Sequence, residues 1–155
     1  MATADDVETY RRHAAELIRY ATVLVGPDDA PDVVTDAVLA AFTTRAWREV
    51  DNRRAYLYRA VLGRSTSHHR SGQRRRRRED RALALAAPPG DPPEPAIDAH
   101  RALAALSGQQ RAVVFLTYWE DLAPAQIAEL LDVTEGTVRK QLARARDHLR
   151  RILDA

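Results

Sequence analysis

The fold of this chain is decided by the stretch from Leu122 to Arg146, which is LAPAQIAELLDVTEGTVRKQLARAR. Its apolar residues recur at helical spacing on both sides of a break at Asp132, and this pattern predicts two short helices joined by a tight turn. The small core between them would consist of Ile127, Leu131, Val133, Val138 and Leu142. Thr134 is suited to cap the second helix, because its hydroxyl can accept from the free N–H groups of the first turn. The stretch therefore predicts a helix-turn-helix.

The polar residues of the second helix fall on the side that this core leaves exposed. They are Glu135, Thr137, Arg139, Lys140, Gln141 and Arg144. A helix of this kind fits the major groove of DNA, where Arg and Lys address guanine and Gln addresses adenine. Arg111, Arg146 and Arg150 are candidates for phosphate contacts, which orient a protein on DNA without specifying a sequence. The alternative is an ordinary helical hairpin with a solvated charged face.

Charge is segregated along the rest of the chain. The net charge is −5 over residues 1–36, +9 over residues 37–81, −2 over residues 82–97 and 0 over residues 98–155. This asymmetry favours a polyanionic partner for the central segment and a basic partner for the first. The run Arg74–Arg78 belongs to the central segment, and it either follows nucleic-acid phosphates or forms a solvated helix end.

Helical periodicity extends upstream of the helix-turn-helix. It predicts helices from about Asp5 to Val25, from Ala30 onward, and from Arg53 toward His69, with a polar loop over Arg48–Asn52. A linker follows, since proline removes a donor and blocks helices, and its prolines are Pro88, Pro89, Pro92, Pro93 and Pro95.

The predicted fold class is all-α, with two small helical domains joined by a flexible proline-rich linker. The predicted boundaries are residues 1–81 for the first domain, 82–97 for the linker and 98–155 for the second domain. Fully extended, this linker would reach about 50 Å, which exceeds one turn of DNA, about 34 Å. Two modules so joined can touch separate sites on one duplex.

Several classes of protein are excluded by composition. The chain has no cysteine, which removes disulfides and thiolate metal sites and fits a cytoplasmic protein. No apolar run is long enough to span a membrane, and the N-terminus lacks the pattern of a signal peptide. His68 and His69 would point about 100° apart on a helix, which disfavours a shared metal. We therefore expect no enzyme activity, no cofactor, no metal and no small-molecule substrate, and we expect Trp47 and Trp119 in the core.

Residues 106–149 resemble region 4 of the bacterial extracytoplasmic-function (ECF) sigma factors, which belong to the sigma-70 superfamily. The residues that carry this resemblance are Leu106, Gln110-Arg111-Ala112-Val113, Tyr118-Trp119-Glu120-Asp121-Leu122, Ile127-Ala128, Leu130-Leu131, Val133, Glu135-Gly136-Thr137-Val138 and Arg144-Ala145-Arg146. The N-terminal part resembles region 2 of the same family through Pro31-Asp32-Val33-Val34, Asp36-Ala37, Phe42 and the stretch from Ala55 to Val61. The SigE-like type of actinobacteria is one candidate subtype.

The resemblance implies an alternative sigma factor that binds core RNA polymerase and directs promoter-specific transcription initiation. Region 2 of the family docks on basic residues of the β′ clamp helices, opens the −10 element and captures a flipped base, for which the loop over residues 48–52 is the counterpart. Region 4 reads the −35 element and meets the β flap. The implied partners are core polymerase, promoter DNA and, as for many family members, an anti-sigma factor.

Carried over by position, the polymerase-facing residues would be Asp32, Thr35, Asp36 and Leu39. The residues along the −10 strand would be Asn52, Arg53, Arg54, Tyr56, Arg59, Arg64 and Arg70. The residues at the −35 element would be Glu135, Thr137, Arg139, Lys140, Gln141, Arg144 and Arg111. Aromatic and Arg planes in the −10 set suit unstacked bases, at roughly 1–3 kcal/mol per stacked base.

The chain departs from the family pattern at five positions. Thr35, Val38 and Gly63 stand where the family usually has glutamine, an aromatic or leucine, and asparagine; Ala123 and Asp132 replace the usual cap serine and turn glycine. Two other functions stay open at this point. One is a stand-alone helix-turn-helix regulator, which would need no region 2, and the other is a degenerate sigma-like protein that serves as an interaction module.

Overall fold

The computed structural model of the protein describes residues 2–84 and 101–154, the side chains of residues 69–84 excepted. In these ranges the chain is helical and contains no strand, which confirms the all-α prediction. The helices of the N-terminal half are α1 (Ala4–Val25), α2 (Ala30–Phe42), α3 (Arg45–Glu49) and α4 (Arg53–Ala84). Those of the C-terminal half are α5 (Gly108–Tyr118), α6 (Pro124–Leu131) and α7 (Glu135–Leu153).

The N-terminal half is a bundle of α1, α2 and α4, with the short α3 at one end. A capping box starts α1: Thr3 Oγ1 accepts from the Asp6 N–H at 3.2 Å, and the Asp6 carboxylate accepts from the Thr3 N–H at 2.8 Å. Gly26 ends α1 with φ +91°, a backbone region that favours glycine. Pro31 lies in the first turn of α2, as expected for a residue without an N–H.

Helix α3 extends into the segment predicted as a loop from Arg48 to Asn52 and includes its first two residues. The hydroxyl of Thr44 caps α3 by accepting from the Trp47 N–H at 3.3 Å. The Trp47 ring is fully buried, as predicted, and its Nε1 donates to Asp6 Oδ1 at 2.8 Å. The loop prediction is therefore wrong at Arg48 and Glu49, since burial of Trp47 holds this short polar segment in a helical turn.

Helix α4 is longer than predicted. It continues past His69 and through Gly72 to Ala84, 32 residues in all, or about 48 Å at 1.5 Å per residue. One glycine costs a helix only about 1 kcal/mol, and the Arg- and Ala-rich residues that follow are good helix formers. The predicted domain boundary at residue 81 falls inside α4. Residues 85–97 of the predicted linker lie outside the described residues, as do the side chains of Arg74–Arg78.

The C-terminal half is built from α5, α6 and α7, and residues 101–105 before them are also helical. Ser107 and Gln110 form a capping box at the start of α5, with hydrogen bonds of 3.1 Å in both directions. Trp119 was predicted in the core, but its side chain is 67% exposed. The prediction is wrong because Trp119 caps the C-terminus of α5 and stacks on Phe115 at 6.3 Å from the outside.

The two halves pack against each other. Helices α1 and α4 both contact α5, and α4 also contacts α6. The Tyr20 and Phe115 rings lie 6.1 Å apart across this contact, and Arg19 Nε lies 3.3 Å from Glu120 Oε1. The buried apolar residues of both halves therefore form one continuous core.

Within the described ranges, no helix combines the length and the apolar character that crossing a membrane would require.

Candidate nucleic-acid interface

The helix-turn-helix of α6 and α7 is held by the turn at Asp132 and by an apolar core. Asp132 adopts the left-handed conformation with φ 55° and ψ 50°, which aspartate tolerates better than most residues. Thr134 caps α7, since its Oγ1 accepts from the Thr137 N–H at 3.1 Å. Ile127 and Val138 are fully buried, Leu131 and Leu142 nearly so, and Val133 is partly buried. The predicted motif is confirmed in its turn, its cap and its core.

The outward face of α7 presents mostly basic side chains. Arg139, Lys140 and Arg144 are exposed, and Arg139 pairs with Glu135 one turn earlier at 2.5 Å. Thr137 Oγ1 lies 2.8 Å from Thr134 Oγ1, and Gln141 donates to Gln109 on α5 at 3.2 Å. The structure thus brings all six predicted reading residues to the first half of one helix, and three of them are exposed.

Arg111 does not share that face. Its side chain is only 6% exposed, and its Nη1 donates to the backbone carbonyl of Leu24, at the end of α1, at 2.9 Å. The predicted phosphate contact by Arg111 is therefore excluded in this arrangement of the two halves. No local sequence pattern indicates this contact, because it joins residues 87 positions apart.

Two of the predicted −10 residues are engaged with α1. Arg54 makes a two-point contact with the Glu16 carboxylate at 2.9 and 2.8 Å. Arg53 pairs with Asp5 at 2.6 Å, and its guanidinium lies 5.0 Å from the centre of the Trp47 ring. Both arginines thus fix the start of α4 against α1, which the sequence pattern did not indicate.

Asn52 also has a structural contact that the sequence analysis missed. Its side-chain Oδ1 accepts from the Ala55 N–H at 3.0 Å, three residues later, at the start of α4. This is the geometry of an N-cap. The remaining exposed loop before α4 is short, since α3 ends at Glu49.

A shallow groove between α2 and α4 is lined by three of the other predicted −10 residues, Tyr56, Arg59 and Arg64. The small residues Ala40 and Gly63 also line it. The Tyr56 hydroxyl lies 2.9 Å from Thr44 Oγ1, and the Arg59 guanidinium lies 6.0 Å from the centre of the Tyr56 ring. An aromatic ring and a guanidinium side by side offer flat surfaces to an unstacked base. The side chain of Arg70 lies outside the described residues.

Acidic residues mark the exposed side of α2. Asp32, Thr35, Asp36 and Leu39 are all exposed along it, and Leu39 is 57% exposed. Two of the carboxylates on this helix and its cap meet side chains from α4: Asp36 lies 3.5 Å from Arg64, and Asp29 lies 3.0 Å from the His68 ring nitrogen. Arg64, predicted for the −10 strand, therefore borders the acidic face as well.

Two carboxylates that the sequence analysis did not single out position these surfaces: Asp6, which is buried, and Glu16, which is partly buried. Burial alone would raise the pKa of Asp6, but hydrogen bonds from the Thr3 N–H and the Trp47 indole, with Arg48 nearby, lower it to about 2. Burial likewise opposes ionisation of Glu16, but hydrogen bonds from Arg54, Tyr58 and His13 lower the pKa of that carboxyl. A Thr-x-x-Asp capping pattern at Thr3 was the available signal for Asp6; none marked Glu16.

Comparison with known proteins agrees with this architecture. Residues 97–149 match the family model described as Sigma-70, region 4. The chain is 34% identical to the ECF RNA polymerase sigma factor SigL of Mycobacterium tuberculosis, over 86% of this chain and 80% of that protein. The chain belongs to the ECF RNA polymerase sigma factors. It is also 31% identical to the RNA polymerase sigma-E factor of Streptomyces coelicolor, over 96% of this chain and 85% of that protein.

Two solved structures have the same overall fold. CnrH in complex with the cytosolic domain of CnrY superposes with a TM-score of 0.62 at 26% identity, over 96% of this chain and 87% of that one. The sigma factor RpoE of Bartonella quintana, bound to the anti-sigma factor NepR, superposes with a TM-score of 0.62 at 22% identity and 99% coverage of both chains. This second likeness bears on the fold alone.

Membership in this family decides between the functions left open by the sequence. The protein is an alternative sigma factor, which directs transcription by RNA polymerase, and a stand-alone regulator is not favoured. Its role is therefore in regulating transcription initiation.

Proposed function

We propose that this sigma factor docks on core RNA polymerase with the acidic face of α2, holds the −10 element along α4 and reads the −35 element with α7. Residues 1–81 would act as region 2, residues 98–155 as region 4, and residues 82–97 would join them. The observation that carries the proposal is the opposite polarity of two exposed helix faces, acidic on α2 and basic on α7.

The acidic face suits a basic protein partner. Asp32 and Asp36 are one helical turn apart and exposed, so both can meet cations at once. Leu39 continues the same face with an exposed apolar side chain. A buried apolar contact beside charged pairs is the usual composition of a protein interface, and the β′ clamp helices present basic residues in this family.

The basic face of α7 suits duplex DNA. Arg139 and Lys140 lie in its first turns, the part of a reading helix that reaches base edges. Arg144 lies further along and is placed for phosphate. The pairing of Glu135 with Arg139 restricts the guanidinium to one side of the helix, which favours a directional contact with a base.

The −10 strand would lie across the start of α4. Tyr56, Arg59 and Arg64 remain accessible there and would contact bases and phosphates. We propose that Arg53 and Arg54 contribute differently, by holding α4 against α1 through Asp5 and Glu16. Loss of either arginine would then shift the strand-binding surface as a whole.

We further propose that an anti-sigma factor controls this protein in the cytoplasm, where core polymerase and promoter DNA are found. The support is that two structures of the same fold are complexes of this kind, RpoE with the anti-sigma factor NepR and CnrH with the cytosolic domain of CnrY. Such a partner would cover the polymerase-facing surface of α2.

Run-off transcription tests the proposal. The protein is mixed with purified core polymerase and a library of promoter fragments, and the transcripts are sequenced. We expect transcripts that start at a defined distance from a shared −35 and −10 pair. Core binding without any transcript would contradict the promoter-reading role, and no core binding would contradict the docking role.

A further inference from the structure

The contact between Arg111 and Leu24 joins the two halves at a helix end. Leu24 lies in the last turn of α1, where carbonyl groups lack intrahelical donors, and this turn has no basic residue of its own. The Arg111 guanidinium, which comes from α5, therefore caps α1 and meets the negative end of its dipole. One buried side chain of the C-terminal half thus completes a helix of the N-terminal half.

The same contact also contains groups that oppose it. Arg111 Nε and the hydroxyl of Tyr20, whose ring faces Phe115, are buried without a protein hydrogen-bond partner. Burial also lowers the pKa of Arg111. These groups regain water when the halves separate, so the closed arrangement is favoured only in part.

Three of the predicted DNA-reading residues of α7 are exposed in the closed arrangement, but Arg111 is not. Arg139, Lys140 and Arg144 stay accessible while the halves are packed, whereas Arg111 is buried. Separation of the halves would expose Arg111. This residue belongs to the same half as α7 and is predicted to contact a DNA phosphate. Closure therefore removes one anchoring cation from DNA and leaves the base-reading residues in place.

We propose that Arg111 is a clasp: it holds the free protein closed by capping α1, and it transfers to a DNA phosphate when the halves separate on the promoter. The DNA part of this proposal rests on the proposed function, while the closed state of the free protein does not. Closure then lowers promoter affinity without changing the preferred sequence.

A wedge variant tests the clasp without touching Arg111. A Cβ at Gly108 would lie 3.4 Å from Thr66 Oγ1 and 4.0 Å from Leu62 Cδ1, so Gly108→Leu places a bulky side chain between the halves. Ala15→Leu is the matched control, since it adds a side chain of the same size at an exposed site of α1. Arg111→Met, which keeps the apolar stem and removes the guanidinium, is the second opening variant.

The distance between the halves is measured by pulsed electron paramagnetic resonance on the full chain. The protein has no cysteine, so Arg12→Cys and Arg151→Cys at exposed sites give one spin label in each half. We expect one narrow distance in the unmodified chain and in Ala15→Leu, and a longer, broader distribution in Gly108→Leu and Arg111→Met. An unchanged distribution in both opening variants, or a broad one in the unmodified chain, would overturn the clasp.

Promoter affinity is then compared for the same set, with a −35 duplex chosen from the run-off transcripts. Gly108→Leu should bind roughly threefold tighter or more, because a closed fraction reduces apparent affinity in proportion, and its sequence preference should be unchanged. Opening without a gain in affinity would overturn the transfer of Arg111 to DNA. If no form binds any promoter, the proposed function fails, and the distance measurement still decides the clasp.

Discussion

The two halves of this sigma factor use their polar residues in different ways. In the N-terminal half, charged groups link helices: Asp6 joins α1 to Trp47 of α3, and Glu16 joins α1 to Arg54 and Tyr58 of α4. In the C-terminal half, polar residues such as Thr134 cap helices, the core is mainly apolar, and the basic side chains of α7 that were predicted to read DNA point outward, whereas Arg111 of α5 is buried.

The difference shows why the −35 surface is simpler than the −10 surface. On α7, Lys140 and Arg144 are exposed and Arg139 pairs only within its own helix, because the apolar core already fixes the helix. At the start of α4, Arg53 and Arg54 already pair with carboxylates of α1. The residue type and its position in the sequence therefore do not by themselves identify a DNA contact. Substitutions matched between the halves should separate the two situations.

The two tryptophans give the largest contrast. Trp47 is fully buried against Phe42 and Tyr56, so Trp47→Ala should lower the free energy of unfolding by about 3–5 kcal/mol. Trp119 is 67% exposed, and Trp119→Ala should change the free energy of unfolding by less than about 0.5 kcal/mol. Urea denaturation followed by circular dichroism measures both, and equal losses would mean that Trp119 is a core residue after all.

The Asp6 carboxylate is the next test of the polar links. Asp6→Ala leaves the Trp47 indole N–H buried without its acceptor, which should cost about 1–3 kcal/mol of stability. Because folding lowers the pKa of Asp6 from 3.8 to about 2, its contribution is complete above pH 4 and is lost as the pH falls toward 2. Acid titration of unfolding should therefore be flatter in this range for Asp6→Ala; an identical pH dependence would contradict the shifted pKa.

Arg139 tests the base-reading role of the C-terminal half. Arg139→Ala should cost about 1–3 kcal/mol in binding to the −35 duplex and relax specificity at one base pair, if its guanidinium reads a base. Arg150→Ala, at an exposed arginine near the end of α7, is the control and should weaken binding uniformly. Fluorescence anisotropy on a set of single-base variants of the duplex distinguishes the two outcomes. A loss of affinity that is equal for all variants would mean that Arg139 contacts only a phosphate.

Helix caps should give the smallest effects. Thr134→Ala removes the cap of α7 and should cost about 1 kcal/mol. Ala123 caps α6 without a side-chain acceptor, although its N–H donates to Gln126 at 2.8 Å, so Ala123→Ser should complete a capping box and stabilise by about 0.5–1 kcal/mol. Thermal unfolding measures both; destabilisation by Ala123→Ser would show that the serine usual in the family serves another purpose.

The helix-turn-helix could be predicted from sequence because all its determinants are local. Asp132 tolerates the left-handed turn, Thr134 caps the next helix, and the apolar spacing of Ile127 and Val138 fixes the face. The same holds for α1, which begins at the Thr3 cap and ends at Gly26, and for α2, which has Pro31 in its first turn. The exposed acidic side of α2 also follows from helical spacing alone.

Other features depend on contacts between distant parts of the chain. Arg111 is charged and precedes the helix-turn-helix, so its residue type favours DNA, but the packing of the halves buries it on Leu24. Arg54 meets Glu16 across 38 positions, and the Trp119 ring is left outside because α5 ends directly before it. Local periodicity carries no information on these pairings.

The central claim is that the acidic face of α2 binds polymerase and the basic face of α7 does not. Equilibrium affinity for purified core polymerase, measured without DNA, tests it directly. Asp32→Arg with Asp36→Arg should lose most of the affinity. Arg139→Ala with Arg144→Ala, and the control Glu8→Arg with Asp154→Arg at exposed sites elsewhere, should keep it. Unchanged affinity in the first variant, or an equal loss in the control, would contradict the assignment of α2 as the docking surface.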